Sequence, residues 1–254
     1  AARRGSTALR PAGMERGGDV GSNARGVADG VRRRGPVDTI YAGKAVVRRL
    51  CGAASYRINV PELRHGREWG GGARRQAAVL KRVAALSDYG RDDLPADSAI
   101  GIATTYGQSR DMPTWVGGAG HLSVDRESGR VDVHKIWLVV DCGTVVDPDG
   151  ARAQVEGSAL WGLSMALYEG TEFKNGRVVD SNLDSYGPLR MIDAPEIEIE
   201  LVESTEVPVG LGEPGTTVVA PAIANGIQAA VGARLRHLPI TPAAVREALQ
   251  SGSA

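Results

Sequence analysis

Alternating apolar and polar residues between Ile100 and Val140 constrain the fold of this chain more than any other feature. Ile100–Tyr106 and Trp115–Val124 have strand composition, and Val131–Val140 begins with period-2 alternation and ends in an apolar run. The turn at Asp125–Gly129 is rich in Asp, Ser and Gly, which favour tight turns. This pattern predicts an antiparallel hairpin whose second strand becomes buried.

Two amphipathic segments flank the predicted strands. Residues 74–87 place Ala78, Leu80 and Val83 near one face of a helix and basic residues on the other. Residues 149–168 predict a second helix, for which Asp147 is a plausible N-cap and Pro148 fits the first helical position.

The downstream sequence predicts alternating short elements. Asn175-Gly176 indicates a tight hairpin turn within residues 170–178. Ile197–Val202 alternates as a strand with a solvated face, to which we assign Glu196, Glu198 and Glu200. Residues 217–231 and 242–249 predict two more helices. This order favours an α+β domain rather than a doubly wound sheet.

Charge is spread unevenly along the 254 residues, although the formal net charge is zero. Residues 1–75 carry sixteen Arg and Lys against six Asp and Glu. A basic arm can indicate nucleic-acid binding, but these residues lie among Gly and Ala without interleaved aromatic residues. We therefore interpret residues 1–50 as a poorly structured basic segment, and expect no nucleic-acid partner.

Several function classes are disfavoured by what the sequence lacks. The two cysteines, Cys51 and Cys142, form no CxxC or His/Cys cluster, so we expect no zinc or iron–sulfur ligation within this chain. No apolar run approaches the roughly 20 residues that span a bilayer. The first residues contain Arg but no apolar h-region, so we expect neither a signal peptide nor membrane insertion. Because the sequence does not begin with Met, we expect that its natural N-terminus is absent.

The strongest catalytic candidate is Glu213, within the segment Gly210-Leu-Gly-Glu-Pro-Gly-Thr-Thr217. Glycines allow close approach of the backbone to a ligand, and free N–H groups at a helix start favour an anionic group. An acid at this point could act as a general base. The alternative is a helix-capping loop with Glu in the favourable first turn.

Other polar candidates have structural alternatives of equal or greater weight. Gln154 can donate and accept hydrogen bonds toward a cofactor, or lie solvated on its helix. Cys142 ends a buried strand, and no His lies nearby in sequence to activate it, so a packed core cysteine is the default interpretation. The four histidines are isolated in sequence, and we expect structural or solvated roles for His65, His121, His134 and His237.

Several blocks resemble the large subunit of the xanthine dehydrogenase/aldehyde oxidase family of molybdenum hydroxylases. They are GRVDVHKIWLVVDCGTVVDPDGARAQVEGSALWGLSMALYE (129–169), NLDSYGPLRMIDAPEIEIELVEST (182–205) and GLGEPGTTVVAPAIANGIQAAVG (210–232). The DCG, QVEG, APEIE and GEPG patterns occur in the family order with similar gaps. The branch they resemble most is the isoquinoline 1-oxidoreductase beta-subunit type.

This resemblance implies a fold, a cofactor and a set of site residues. Residues 100–250 would form the C-terminal molybdopterin-binding domain, and residues 51–99 would be a remnant strand and helix of the upstream region. Glu213 would be the catalytic base. Gln154 would contact the cofactor, a molybdenum-molybdopterin of the cytosine dinucleotide type, together with Gly212, Gly215 and Thr216.

The resemblance also implies a reaction and partners. An aldehyde or a small aromatic N-heterocycle would be hydroxylated with water as the oxygen source, and electrons would leave through an iron–sulfur small subunit. The expected compartment is the cytoplasm, with the periplasm as the alternative.

The chain departs from the family because the upstream GGGFG-like, GQG-type and Arg-containing loops are missing. This leaves three alternatives: part of an active enzyme, a non-catalytic remnant that keeps the fold without binding molybdenum, or an interaction module with a basic arm.

Overall fold

A four-stranded sheet forms the centre of the structure, a computed structural model that describes residues 70–108 and 113–251. The irregular segment predicted for residues 1–50 and the strand predicted within 51–69 lie outside the described residues. The helices and strands are, in chain order, α1 (Gly70–Leu86), β1 (Ser98–Gln108), β2 (Pro113–Val124), β3 (Val131–Asp141), α2 (Pro148–Leu167), β4 (Phe173–Lys174), β5 (Arg177–Val178), a 3₁₀ turn (Met191–Asp193), β6 (Glu196–Leu201), α3 (Pro214–Val231) and α4 (Pro242–Ser251).

The sheet has the order β1-β2-β3-β6 and is mixed. Strand β2 pairs antiparallel with both β1 and β3, whereas β6 pairs parallel with β3 after the crossover through α2. Asp125 closes the β2–β3 turn, where its carboxylate accepts hydrogen bonds from the backbone N–H groups of Glu127 and Ser128. The predicted hairpin and the α+β class are therefore confirmed.

Two apolar layers cover the two faces of this sheet. Helix α1 packs on one face, where Val79 and Val83 contact the layer that includes Ile102 and Ala119. Helices α2 and α3 cover the other face through a larger cluster. Leu122, Ile136, Leu138, Leu163, Ile223 and Ile227 are among its fully buried members. Burial on both faces explains why β3 ends in a continuous apolar run.

Glycine allows α3 to lie directly against β1. A Cβ placed on Gly101 would lie 2.0 Å from the Ala222 carbonyl oxygen and 2.1 Å from the Gly226 nitrogen. Both are backbone atoms, so neither can move aside unless the helix itself moves. The Asn225 amide then donates to the Ile102 carbonyl at 2.9 Å, which fixes the helix along the strand. The absent Cβ at Gly101 thus sets how close α3 lies to the sheet.

Ion pairs connect α1 and β3 to neighbouring strands. Arg75 binds the buried carboxylate of Asp141 through two nitrogens, at 2.7 and 2.6 Å. This partner raises the pKa of Arg75. A bidentate, charge-assisted pair of this kind holds the start of α1 to the end of β3.

Glu196, Glu198 and Glu200 line one outward face of β6, as predicted, but each of them also forms an ion pair with a basic side chain. Lys135 contacts Glu196 at 2.5 Å and Glu198 at 3.0 Å, and Arg82 of α1 binds Glu200 at 2.7 Å. The apolar residues between them pack toward the core. These pairs are exposed, so we attribute little stability to them.

The predicted helix starts agree with the structure to within a few residues. Asp147 caps α2 by accepting a hydrogen bond from the Gly150 backbone N–H, and Pro148 is the first helical residue, as predicted. Asn175 and Gly176 have positive φ angles of 51° and 74° in the β4–β5 turn, which is the conformation that Asn-Gly favours. Helix α3 starts at Pro214, three residues earlier than predicted.

Candidate functional site

Glu213 stands at the junction between an extended loop and α3. It occupies the N-cap position, yet its side chain makes no capping hydrogen bond. Pro214, at the first helical position, has no N–H to offer, and the Thr216 N–H bonds to the Glu213 carbonyl oxygen rather than to its side chain. The side chain is exposed. The structure thus places Glu213 at the N-cap but shows no capping hydrogen bond from its carboxylate, and the choice between a base and a charge that favours the helix start stays open.

Gln154 lies against the residue that precedes Glu213. A Cβ placed on Gly212 would be 3.3 Å from Gln154 Oε1. Gln154 lies on α2, which follows β3, whereas Gly212 and Glu213 lie before α3. The first half of α2 therefore brings the Gln154 amide beside the backbone at Gly212, the residue before Glu213. That the two side chains face one cofactor remains a prediction.

The crossing of α2 and α3 fixes the position of this site. A Cβ on Gly215 would lie 2.1 Å from Ser158 Oγ, and a Cβ on Gly162 would lie 2.6 Å from the Thr216 carbonyl oxygen. The Thr216 hydroxyl also donates to the Ser158 carbonyl at 3.1 Å. Gly215 and Thr216 therefore pack the two helices together. Their predicted contact with a cofactor remains a prediction.

The loop before Glu213 is attached to the sheet by contacts that the sequence did not reveal. The buried Thr114 hydroxyl, on β2, donates to the Gly210 carbonyl at 2.5 Å. The Val209 N–H donates to the Cys142 carbonyl at 2.9 Å. Gly143 has a φ of 76°, and a Cβ there would meet the Val207 carbonyl at 2.1 Å. The DCG segment thus anchors the loop that carries the candidate base.

Cys142 is a buried, free cysteine in the larger core cluster. Burial raises the pKa of its thiol, and the neighbouring Asp141 carboxylate raises it further. A thiol in this state is a poor nucleophile. The interpretation of Cys142 as a packed core residue agrees with these contacts.

Two histidines that are separate in sequence, His121 and His134, are neighbours in the sheet, a contact that the sequence alone did not reveal. The rings of His121 and His134 lie 4.9 Å apart between centroids. Ser98 donates its hydroxyl proton to the Leu122 carbonyl, so His121 Nε2 must donate to Ser98 Oγ, at 3.0 Å. The β2–β3 register shift next to His121 accompanies this arrangement, and alternation patterns do not reveal such a shift.

We expect His121 to make folding sensitive to mild acid. Burial lowers the pKa of His121 from 6.5, and His134 and Arg91 lower it further. Between this lowered pKa and 6.5 the unfolded chain binds more protons, so stability decreases as pH falls through that window and is constant above it. Urea unfolding of the chain between pH 5 and 8 measures this slope. The His121→Gln variant should have a shallower slope, and an unchanged slope would contradict the assignment.

The chain belongs to the molybdopterin cofactor-binding domain family, which its sequence matches over residues 40–195. This confirms the family inferred from the DCG, QVEG and APEIE blocks. The match ends before Gly210–Thr217, so it does not itself assign a role to Glu213.

Curated relatives are considerably longer than this chain. It is 58% identical over 182 residues to a membrane-bound aldehyde dehydrogenase [pyrroloquinoline-quinone] of Gluconacetobacter polyoxogenes, which covers 72% of this chain and 24% of that protein. It is 35% identical over 169 residues to the isoquinoline 1-oxidoreductase subunit beta of Brevundimonas diminuta, covering 66% and 21%. The chain thus spans about a quarter of the length of these relatives.

A solved structure shares the fold. Quinoline 2-oxidoreductase from Pseudomonas putida 86 superposes with a TM-score of 0.51 at 24% identity, over 55% of this chain and 19% of that one. At this identity the likeness supports the architecture alone.

Proposed function

We propose that this chain is the base-bearing part of a molybdopterin-dependent oxidoreductase that hydroxylates an aldehyde, or an N-heterocycle, with water as the oxygen source. The observation that carries the proposal is the meeting of Gln154 with the Gly212-Glu213 loop. Family membership supports the cofactor class, and the uncapped carboxylate of Glu213 supports a general base.

The residues at this place fit the organic part of such a cofactor. Gln154 offers an amide N–H and a carbonyl oxygen, and Gly212 has no side chain to cover them. Gln154 and the backbone at Gly212 would therefore hold the pterin. When bound, the cofactor would supply the two-electron redox chemistry.

The protein's own contribution is to place and move a proton. The Glu213 carboxylate would accept the proton of the oxygen nucleophile as that oxygen attacks the electron-poor carbon. The α2–α3 contact at Ser158 and Gly215 holds the backbone that carries this carboxylate in place relative to α2. A base carried on a fixed backbone is effective because only its side chain must be ordered when the proton moves.

Sequence identity favours an aldehyde over a heterocycle as the substrate class. The relative named as an aldehyde dehydrogenase is 58% identical, whereas the isoquinoline oxidoreductase subunit is 35% identical. Turnover of a short-chain aldehyde and of isoquinoline by the complete enzyme distinguishes the two. Faster turnover of isoquinoline would reverse this preference.

The cofactor form is a finer proposal. We propose the cytosine dinucleotide form of molybdopterin. The name of the 58% identical relative instead includes pyrroloquinoline quinone as a cofactor. The pterin and the quinone must therefore both be assayed. Extraction of the complete enzyme should yield a fluorescent pterin and released CMP after hydrolysis; a quinone without pterin would refute the proposal.

We propose an iron–sulfur small subunit as the electron-accepting partner, since the isoquinoline relative is itself named as one subunit of an enzyme.

We also propose a cytoplasmic location, with the periplasm as the alternative. In the described part of the chain no helix is long and apolar enough to cross a membrane. Cell fractionation followed by immunoblotting tests the location, because recovery in the periplasmic or membrane fraction would contradict it.

We expect the 254-residue chain to purify with well below one molybdenum per chain, because upstream cofactor loops of the family are absent from its sequence. Elemental analysis measures this, with the complete enzyme as the control at about one molybdenum per subunit. One molybdenum per isolated chain would contradict the expectation. No molybdenum in the complete enzyme would instead support the non-catalytic alternative.

A further inference from the structure

The backbone of Glu213 is held by helix packing on its C-terminal side and by a loop on its N-terminal side. After it, Pro214 and Gly215 are buried at the start of α3, where a Cβ on Gly215 would meet Ser158 of α2. Before it, residues 202–213 connect β6 to α3 without a helix or a strand of their own. The position of the carboxylate therefore depends on where this loop is attached to the rest of the domain.

Two kinds of hydrogen bond attach the loop to the sheet. The Val209 N–H donates to the Cys142 carbonyl at 2.9 Å, a backbone bond that no side-chain substitution removes directly. One residue closer to Glu213, a side chain makes the attachment: the Thr114 hydroxyl donates to the Gly210 carbonyl at 2.5 Å. This bond can be deleted without changing the loop itself.

The chemistry of position 114 points to the same bond. Thr114 is completely buried on β2. A buried hydroxyl costs free energy unless it forms a hydrogen bond, and valine has nearly the same shape without that cost. The hydroxyl is therefore explained by its bond, and its acceptor, Gly210, belongs to the loop that carries Glu213 and not to the sheet.

We propose that Thr114 is a positioning residue for the candidate base, acting on the Glu213 carboxylate through the loop backbone. Leu211 and Gly212 alone separate the bonded carbonyl of Gly210 from Glu213. Without the bond these residues can rotate, and the carboxylate then occupies positions from which it cannot accept the proton. The proposal rests on the proposed function, because Glu213 must be the base, whereas the attachment of the loop does not.

Hydrogen exchange in the full 254-residue chain tests the attachment independently of activity. Thr114→Val removes the hydroxyl, so the amides of residues 209–213 should exchange faster than in wild type. Thr114→Ser keeps the hydroxyl and should exchange as wild type does. Unchanged exchange of these amides in Thr114→Val would overturn the proposal. Circular dichroism checks folding, and Thr114→Ala provides the same test if the valine variant does not fold.

Thr104→Val is the matched control. The Thr104 hydroxyl also donates to a backbone carbonyl, that of Val116 at 2.8 Å, but this bond joins β1 to β2 and does not touch the loop. The substitution removes the same chemical group from the same sheet. Exchange of residues 209–213 should therefore stay at the wild-type rate, and an increase equal to that of Thr114→Val would overturn the proposal.

Steady-state kinetics of the complete enzyme test the consequence for the base. Thr114→Val should lower kcat about tenfold and leave KM within about twofold, because a misplaced base weakens the transition state without weakening substrate binding. Thr114→Ser should restore most of the lost kcat, and Thr104→Val should keep the wild-type kcat. A Thr114→Val enzyme with wild-type kcat would overturn the proposal.

A double variant shows whether Thr114 acts through Glu213. In an enzyme that already carries Glu213→Gln, Thr114→Val should cause no further loss of turnover, because the base that it positions is absent. A further loss of about tenfold would overturn the proposal, since Thr114 would then act on another group. Near-normal turnover of Glu213→Gln alone would instead refute the proposed function, while faster exchange in Thr114→Val would still demonstrate the attachment of the loop.

Discussion

Glu213→Gln is expected to reduce turnover of the complete enzyme by roughly 10²–10⁴-fold or more, the range lost with a general base. The amide keeps the size and hydrogen bonding of the carboxylate but cannot accept the proton. Because Glu213 makes no capping hydrogen bond, the free energy of unfolding should stay within about 0.5 kcal/mol of wild type, as for surface substitutions. Steady-state kinetics and urea unfolding measure the two quantities.

The matched control is Glu156→Gln, an exposed acid on α2 two residues from Gln154. It changes the net charge by the same amount close to the site, and we expect near-normal turnover. Near-normal turnover in the Glu213 variant would refute its assignment as the base. If that variant instead lost stability along with activity, the carboxylate would have a structural role after all.

Local patterns predicted the elements of this fold well. The alternation of Val131–Val140, the Asp147-Pro148 helix start and the Asn175-Gly176 turn each depend on short-range chemistry, and the structure has a strand, a capped helix and a hairpin at these places. Pro221 shows the limit of such rules. It lies inside α3, where proline normally breaks or kinks a helix. The buried apolar side of α3, from Val218 to Ile227, overrides that preference.

Contacts across the fold were not predictable from the same patterns. The His121–His134 pair depends on a register shift, and the bond from Thr114 to Gly210 joins residues 96 positions apart. Likewise, the contacts of Gly215 and Thr216 with Ser158 could not be read from the sequence, and the cofactor contact expected of these two residues stays a prediction. A single sequence does not show which side chains, distant from one another along the chain, are in contact in the fold. The family resemblance supplied the association of Gln154 with Glu213, and the structure places Gln154 beside Gly212, the residue before Glu213.

The position of the candidate base depends on how closely α3 packs on the sheet, and Gly101→Ala tests this dependence. The added Cβ would lie 2.0 Å from the Ala222 carbonyl oxygen and 2.1 Å from the Gly226 nitrogen. Real Cβ atoms do not approach backbone this closely, so α3 must shift away from β1. We expect the free energy of unfolding to fall by about 3 kcal/mol, the upper part of the range for overpacked cores.

Gly107→Ala is the control for this substitution, because it lies on the same strand and a Cβ there has no neighbour within 4 Å. Its unfolding free energy should stay close to wild type in urea titrations of the full chain. In the complete enzyme, Gly101→Ala should also lower kcat. Glu213 occupies the N-cap position of α3, and the Asn225 amide of the same helix donates to the Ile102 carbonyl of β1, so a shift of α3 from the strand would displace Glu213. A Gly101→Ala variant with wild-type stability would mean that α3 can lie farther from β1 without cost. The site would then tolerate a displacement of α3 from β1 that we expect its close packing against Gly101 to prevent.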